Sequence, residues 1–127
     1  MKILIADSQS RVRHGLRILL EQQPGWNVNG EAANAKELID LVHGDCPDLI
    51  LLDGELPGMP MESLLSALRG DCSDLLVVSL SGRYEQRQAA LEAGADAFAS
   101  KAEPPEKLIR LVRKLIKNEI EVFYDQK

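Results

Sequence analysis

Three side chains able to do chemistry stand at the ends of apolar runs: Asp7 after Lys2-Ile3-Leu4-Ile5-Ala6, Asp53 after Asp48-Leu49-Ile50-Leu51-Leu52, and Lys101 after Ala97-Phe98-Ala99-Ser100. A carboxylate that closes an apolar strand and is followed by Gly54-Glu55-Leu56-Pro57-Gly58 is presented on a loop at the strand's C-terminal edge. That edge is where open α/β sheets bind ligands. Acids and a lysine at separate strand ends point to a site assembled by the fold, with Asp53 the first candidate for chemistry.

The elements that must bring these residues together alternate along the chain. Apolar runs at 2–6, 26–30, 48–52, 75–79 and about 96–100 read as strands. Between them lie helical patterns. The first carries Val12, Leu16, Leu19 and Leu20 on one stripe and stops at Pro24-Gly25; the second runs from about Ala35 to His43 before Gly44. A third spans roughly Met61 to Arg69, and a fourth about Arg83 to Ala93 with Gly94 behind it. The last opens at Pro104 or Pro105, where a missing N–H has no helical partner to lose, and buries Leu108, Leu111, Val112 and Leu115. Continuous apolar strands alternating with helices predict a parallel α/β sheet covered on both faces, with right-handed crossovers.

Composition narrows the function classes. The chain has 127 residues, about one domain, with no internal repeat or low-complexity linker. Its 20 acidic against 15 basic residues give a formal charge of −5, which argues against direct nucleic-acid binding because phosphate backbones select clustered Lys and Arg. Arg110, Arg113, Lys114 and Lys117 are explained as the cationic end of a helix. Nothing approaches the roughly 18 apolar residues of a membrane span, and no signal peptide precedes Asp7. Cys46 and Cys72 are too few for a disulfide framework or zinc site and read as small packing residues in a reducing cytoplasm, with a single disulfide the minor alternative because both fall just before strands that could be neighbours. His14 and His43 sit in helices without paired ligands. Asn118–Lys127 reads as a helix extension or a C-terminal tail that packs on the domain through Phe123 and Tyr124.

These residues resemble a known family. Residues 1 to about 117 look like a receiver domain of a two-component response regulator: Asp7 after strand one, Asp53 after strand three with Pro57 four residues on, Ser79 ending strand four, and Lys101 ending strand five with Phe98 three before it. The stretch Lys101-Ala102-Glu103-Pro104-Pro105 is similar to receivers that precede helix-turn-helix domains of the nitrate-regulator class. The resemblance implies a flavodoxin-like doubly wound sheet of strand order 2-1-3-4-5 with five helices. It also implies phosphoryl transfer from a sensor histidine kinase or phosphotransfer protein onto Asp53, with Lys101 and Ser79 holding phosphoryl oxygens. Mg²⁺ would be held by Asp7, Asp53 and the backbone carbonyl of Glu55, and Ser79 with Phe98 would switch a face toward a downstream effector or a missing output domain. A weak homodimer through the last helices is compatible with the resemblance, although no heptad or exposed apolar seam requires one.

The departures from that pattern are equally specific. Receivers usually end strand one in two adjacent acids; here Ser8 follows Asp7, at best a weak metal ligand, so Mg²⁺ affinity should drop unless Glu55 swings its carboxylate inward. Ser8 would otherwise cap the first helix. Leu80 stands where a small residue usually leaves the acid accessible, Met61 where glycine is usual, and Ala102 where proline usually follows the lysine, which predicts a trans bond there. Ser8 and Leu80 support an alternative, an atypical receiver that binds partners without phosphorylation. An Asp-dependent phosphatase would want an acid two residues after its nucleophile, which Glu55 meets only loosely, and nucleotide binding is disfavoured because Asp7-Ser8-Gln9-Ser10 lacks phosphate-cradling glycines. Taken singly, Asp7 could only start a turn, Lys101 be a solvated loop lysine, Ser79 a backbone-bonded hydroxyl and Phe98 ordinary core.

Overall fold

Strand follows helix throughout the computed structural model, which describes residues 1–117; the expectation for Asn118–Lys127 lies outside the described residues. The order is β1 (Lys2–Ala6), α1 (Ser10–Glu21), β2 (Asn27–Ala32), α2 (Ala35–Gly44), β3 (Leu49–Asp53), α3 (Met61–Asp71), β4 (Leu76–Ser81), a 3₁₀ turn (Tyr84–Gln86), α4 (Arg87–Glu92), β5 (Ala97–Ser100) and α5 (Pro105–Ile116). All strand pairs are parallel, in the order β2-β1-β3-β4-β5. The doubly wound flavodoxin-like fold anticipated from the sequence is therefore the observed one.

Central β3 is buried along its whole length, and this explains its unbroken apolar run. Because side chains alternate across a strand, Leu49 and Leu51 pack with Ile3, Ile5 and Val78 under Leu20, Leu108 and Val112 of α1 and α5. Ile50 and Leu52 pack with Leu4, Val77 and the α2–α3 leucines Leu38, Leu64 and Leu65 on the opposite face. Two cores thus clamp β3, and Asp53 is carried at its end. Among the described residues no helix is long and apolar enough to cross a membrane.

Several boundaries differ from the sequence reading. Edge strand β2 starts after Trp26, and its register with β1 slips between Ile3 and Leu4, where Leu4 pairs with Gly30. β4 continues two residues beyond Ser79, because Ser79, Leu80 and Ser81 pair with Phe98, Ala99 and Ser100. Ser8 is not the cap of α1: the cap position is Gln9, without a side-chain bond, and Ser8 is exposed. Met61 is the first residue of α3, and the left-handed conformation in the preceding loop belongs to Gly58, with φ of 112°. A side chain there would also crowd Ala35, whose backbone N–H donates to Pro57. No cis peptide bond occurs among the described residues, so Lys101-Ala102 is trans as expected.

The cysteines depart most from expectation. Cys46 and Cys72 form a disulfide, with Cα atoms 5.8 Å apart. Cys46 precedes β3 and Cys72 closes α3 ahead of β4; because β3 and β4 are neighbours, their entry segments run side by side. Cys72 does pack in the core as anticipated, but paired cysteines give no argument for a reducing compartment. The bond joins positions 26 residues apart, and closing a loop of that length restricts the unfolded chain by about 3.5 kcal/mol. Urea unfolding with and without reductant should show that loss, with Cys46→Ser matching the reduced wild type and unmoved by reductant.

Candidate functional site

Asp7, Asp53 and Lys101 meet at the C-terminal edge of β1, β3 and β5. The Lys101 ammonium donates to Asp7 Oδ2 at 2.7 Å and lies 3.4 Å from Asp53 Oδ1. Both carboxylates are buried, Asp7 at 1% and Asp53 at 8% exposure. Burial works against the lysine's charge, but the hydrogen bond to Asp7 and the fields of both acids outweigh it and hold the ammonium above its ordinary pKa of 10.5. Lys101 is positioned through its backbone as well, its N–H donating to Ser81 O at 2.8 Å. The sequence departure at Ala102 therefore leaves the lysine in reach of both acids.

Backbone amides set each acid. Gln9 N–H donates to Asp7 Oδ1 at 2.9 Å, so Asp7 does make the local turn that a lone aspartate would, and Glu55 N–H donates to Asp53 Oδ1 at 3.1 Å. Arg13 fastens the first loop by donating to the Asp7 carbonyl at 2.7 Å while pairing with Glu31 at 3.0 Å. Hydrogen bonding from Arg17, aided by Arg13, holds the Glu31 carboxyl below its usual range despite partial burial. Nothing in the sequence singled out these arginines.

Ser79 is buried at 1%, and its hydroxyl has no hydrogen-bond partner among the described residues. A buried polar group is ordinarily satisfied, so an orphaned hydroxyl marks a place where an oxygen-rich ligand would be welcome. It lies beside the loop after Asp53, with the Cβ position of Gly54 3.5 Å away. Phe98 is its register partner on β5 and meets Tyr84 edge-on at 6.0 Å between centroids. His14 and His43 stand apart from this constellation, and His43 pairs with Asp71 on the surface.

The donors offered by Asp7 and Asp53 are all oxygens, and two carboxylates against one ammonium leave a net negative charge. Such a set fits a hard divalent cation such as Mg²⁺. It is a sparse set: among the described residues no three His, Cys, Asp or Glu side chains gather to hold a metal. Ser8 adds no carboxylate, and the Glu55 side chain turns to Arg83, 3.3 Å away.

Leu80 pairs with Asp53 in the β3–β4 register, which puts the two on the same sheet face, and it is 4% exposed. Leu80→Ala should therefore open the approach to Asp53. With Asp53 as the phosphoacceptor that the resemblance implies, the expected result is several-fold faster labelling by a small phosphodonor, together with a stability loss of about 2–3 kcal/mol from the emptied core volume. Labelling time courses and urea unfolding on the same protein separate the two effects.

A doubly wound parallel sheet with two acids, a lysine and a hydroxyl at its C-terminal edge defines the class. The response regulator receiver domain model matches residues 3–113, and the chain belongs to that family. It is 34% identical to the nitrate/nitrite response regulator protein NarL of Escherichia coli over 120 residues, 93% of this chain and 56% of that one. A 14.6 kDa uncharacterized protein of Leptolyngbya boryana is 32% identical over 117 residues, covering 89% of this chain and 88% of its own. Among solved structures, a LuxR-family two-component response regulator from Aurantimonas superposes with a TM-score of 0.82 at 28% identity, covering 92% of this chain and 85% of that one. The chain spans about half the length of NarL and of several other relatives.

Proposed function

We propose that residues 1–117 form a working phosphoryl-accepting receiver, with Asp53 the phosphoacceptor. The observation that carries this reading is the ammonium shared by Asp7 and Asp53 together with an orphaned, buried Ser79 hydroxyl beside Gly54, the residue after Asp53. Asp53 Oδ1 takes the contacts from Glu55 N–H and Lys101, which leaves Oδ2 to attack phosphorus. The new O–P bond replaces the P–N bond of a phosphohistidine on a sensor kinase or phosphotransfer protein, and the imidazole leaves with its electron pair and takes a proton. Lys101 and Ser79 donate to phosphoryl oxygens, so the protein's contribution is positioning and charge compensation. Asp7, Asp53 and the Glu55 carbonyl would hold Mg²⁺, which when bound neutralises phosphoryl charge.

The switch in this reading is the one the resemblance implies, and the β4–β5 register, in which Ser79 pairs with Phe98, is compatible with it. Ser79, drawn toward the phosphoryl oxygens, leaves space beside its partner Phe98, which then turns from Tyr84 and changes the face of α4, β5 and α5. A downstream effector or an output domain would read that face, in a signalling role placed in the cytoplasm and without direct nucleic-acid contact by this chain. The second reading, a receiver working by protein contact alone, is favoured by exposed Ser8 and by Leu80 beside Asp53. Intact-protein mass after incubation with a small phosphodonor decides between them: an adduct that requires Mg²⁺ supports the first, and no adduct even from phosphohistidine donors at high Mg²⁺ leaves the second.

A further inference from the structure

We propose that Glu55 is the third carboxylate of the cation site, standing in for the acid that Ser8 does not supply, and that its ion pair with Arg83 holds it in reserve. The inference rests on the reading of Asp7 and Asp53 as cation ligands. Asp7 has little capacity to spare, since Oδ1 accepts from Gln9 N–H and Oδ2 from Lys101. Asp53 Oδ1 is likewise engaged by Glu55 N–H and Lys101. A divalent ion here meets two carboxylates already compensated in part by an ammonium, and the exposed Ser8 hydroxyl adds no charge.

Glu55 is the acid rooted at this edge. Its backbone N–H touches Asp53 at 3.1 Å, and its side chain is aimed away, 3.3 Å from Arg83 Nη2. Arg83 is itself seated from the neighbouring β4 end, its N–H donating to Ser81 Oγ at 3.0 Å. The pair therefore joins the loops after β3 and β4 at the mouth of the site. With side-chain exposures of 59% and 57% it is an exposed surface bond, weak enough for a divalent ion to break. Rotation of Glu55 toward the ion adds the missing negative charge and frees Arg83 at the place where a phosphoryl group would carry its own.

Calorimetric titration of the full chain with Mg²⁺ tests this without any phosphoryl chemistry. Arg83→Ala should tighten Mg²⁺ binding by up to about fivefold, the most an exposed pair can hold back. Glu55→Gln should weaken it by about tenfold or more, since loss of even a group that only supports a metal ligand costs about 10–100-fold in affinity. Adding Arg83→Ala to Glu55→Gln should then change nothing. Two outcomes overturn the proposal: equal tightening by Arg83→Ala in both backgrounds, which would be a simple field effect, or unchanged affinity in Glu55→Gln while Asp53→Asn abolishes binding. If Asp53→Asn leaves Mg²⁺ binding intact, the cation-site reading itself fails and the role of Glu55 falls with it. Both side chains are exposed, so the variants should retain the wild-type unfolding midpoint.

Discussion

Asp53→Asn should leave the chain without a phosphoryl adduct under conditions that load the wild type with Mg²⁺ and a small phosphodonor. The substitution preserves shape: an amide oxygen can still accept from Glu55 N–H as Oδ1 does now. It removes the nucleophilic oxygen and one of the two negative charges that share Lys101. The effect is therefore on chemistry and cation binding rather than on folding, where a buried but isosteric change at an edge should stay within about 1 kcal/mol. Thermal unfolding with and without Mg²⁺ supplies the companion measurement, because a ligand that binds only the folded state raises its stability by mass action. That rise should be present in the wild type and nearly lost in the variant. An adduct that persists in Asp53→Asn would move the modification to another residue.

The fold was legible because burial on both faces writes a continuous apolar run: β3 is buried at every position, and Leu49–Leu52 show it directly. The half-buried edge strand β2 was placed less well, since the slip at Gly30 leaves no periodic trace. Asp7, Asp53 and Lys101 were legible for a related reason, each being the first charged group after an apolar strand. What brings them together is sheet order, and a linear pattern holds no record of which strand ends lie side by side. The same gap explains the cysteines. Their places before two strands only allowed a bond, whereas adjacent β3 and β4 put Cys46 and Cys72 5.8 Å apart at Cα. Arg83 and Arg13 were illegible because a surface arginine in sequence carries no sign of what it pairs with. Ser8 was misplaced as a cap because a hydroxyl near a helix start is a frequent cap, while here the backbone begins α1 one residue later and Asp7 takes the Gln9 N–H instead.

Lys101→Ala should split the functions that Asp53→Asn removes together. Loss of a preorganised donor to a developing anion commonly costs a factor of about 10²–10³ in rate, so phosphoryl loading should slow by that order. Mg²⁺ binding should tighten, because Asp7 Oδ2 loses its partner at 2.7 Å and the two acids lose their shared cation. At neutral pH the variant should also be less stable. Breaking a buried ion pair costs about 3–5 kcal/mol, but Lys101 is 29% exposed, and solvent screening brings the expectation to roughly 1–3 kcal/mol. The pH dependence has a definite sign. The lysine's pKa is raised in the folded state, so its stabilisation is complete below 10.5 and is lost as pH rises through the folded value. Wild type and variant should thus differ in stability at neutral pH and converge in the alkaline range above 10.5. Rapid loading by Lys101→Ala, with the stability gap unchanged across that range, would show that the ammonium neither guides the phosphoryl group nor holds the two acids together.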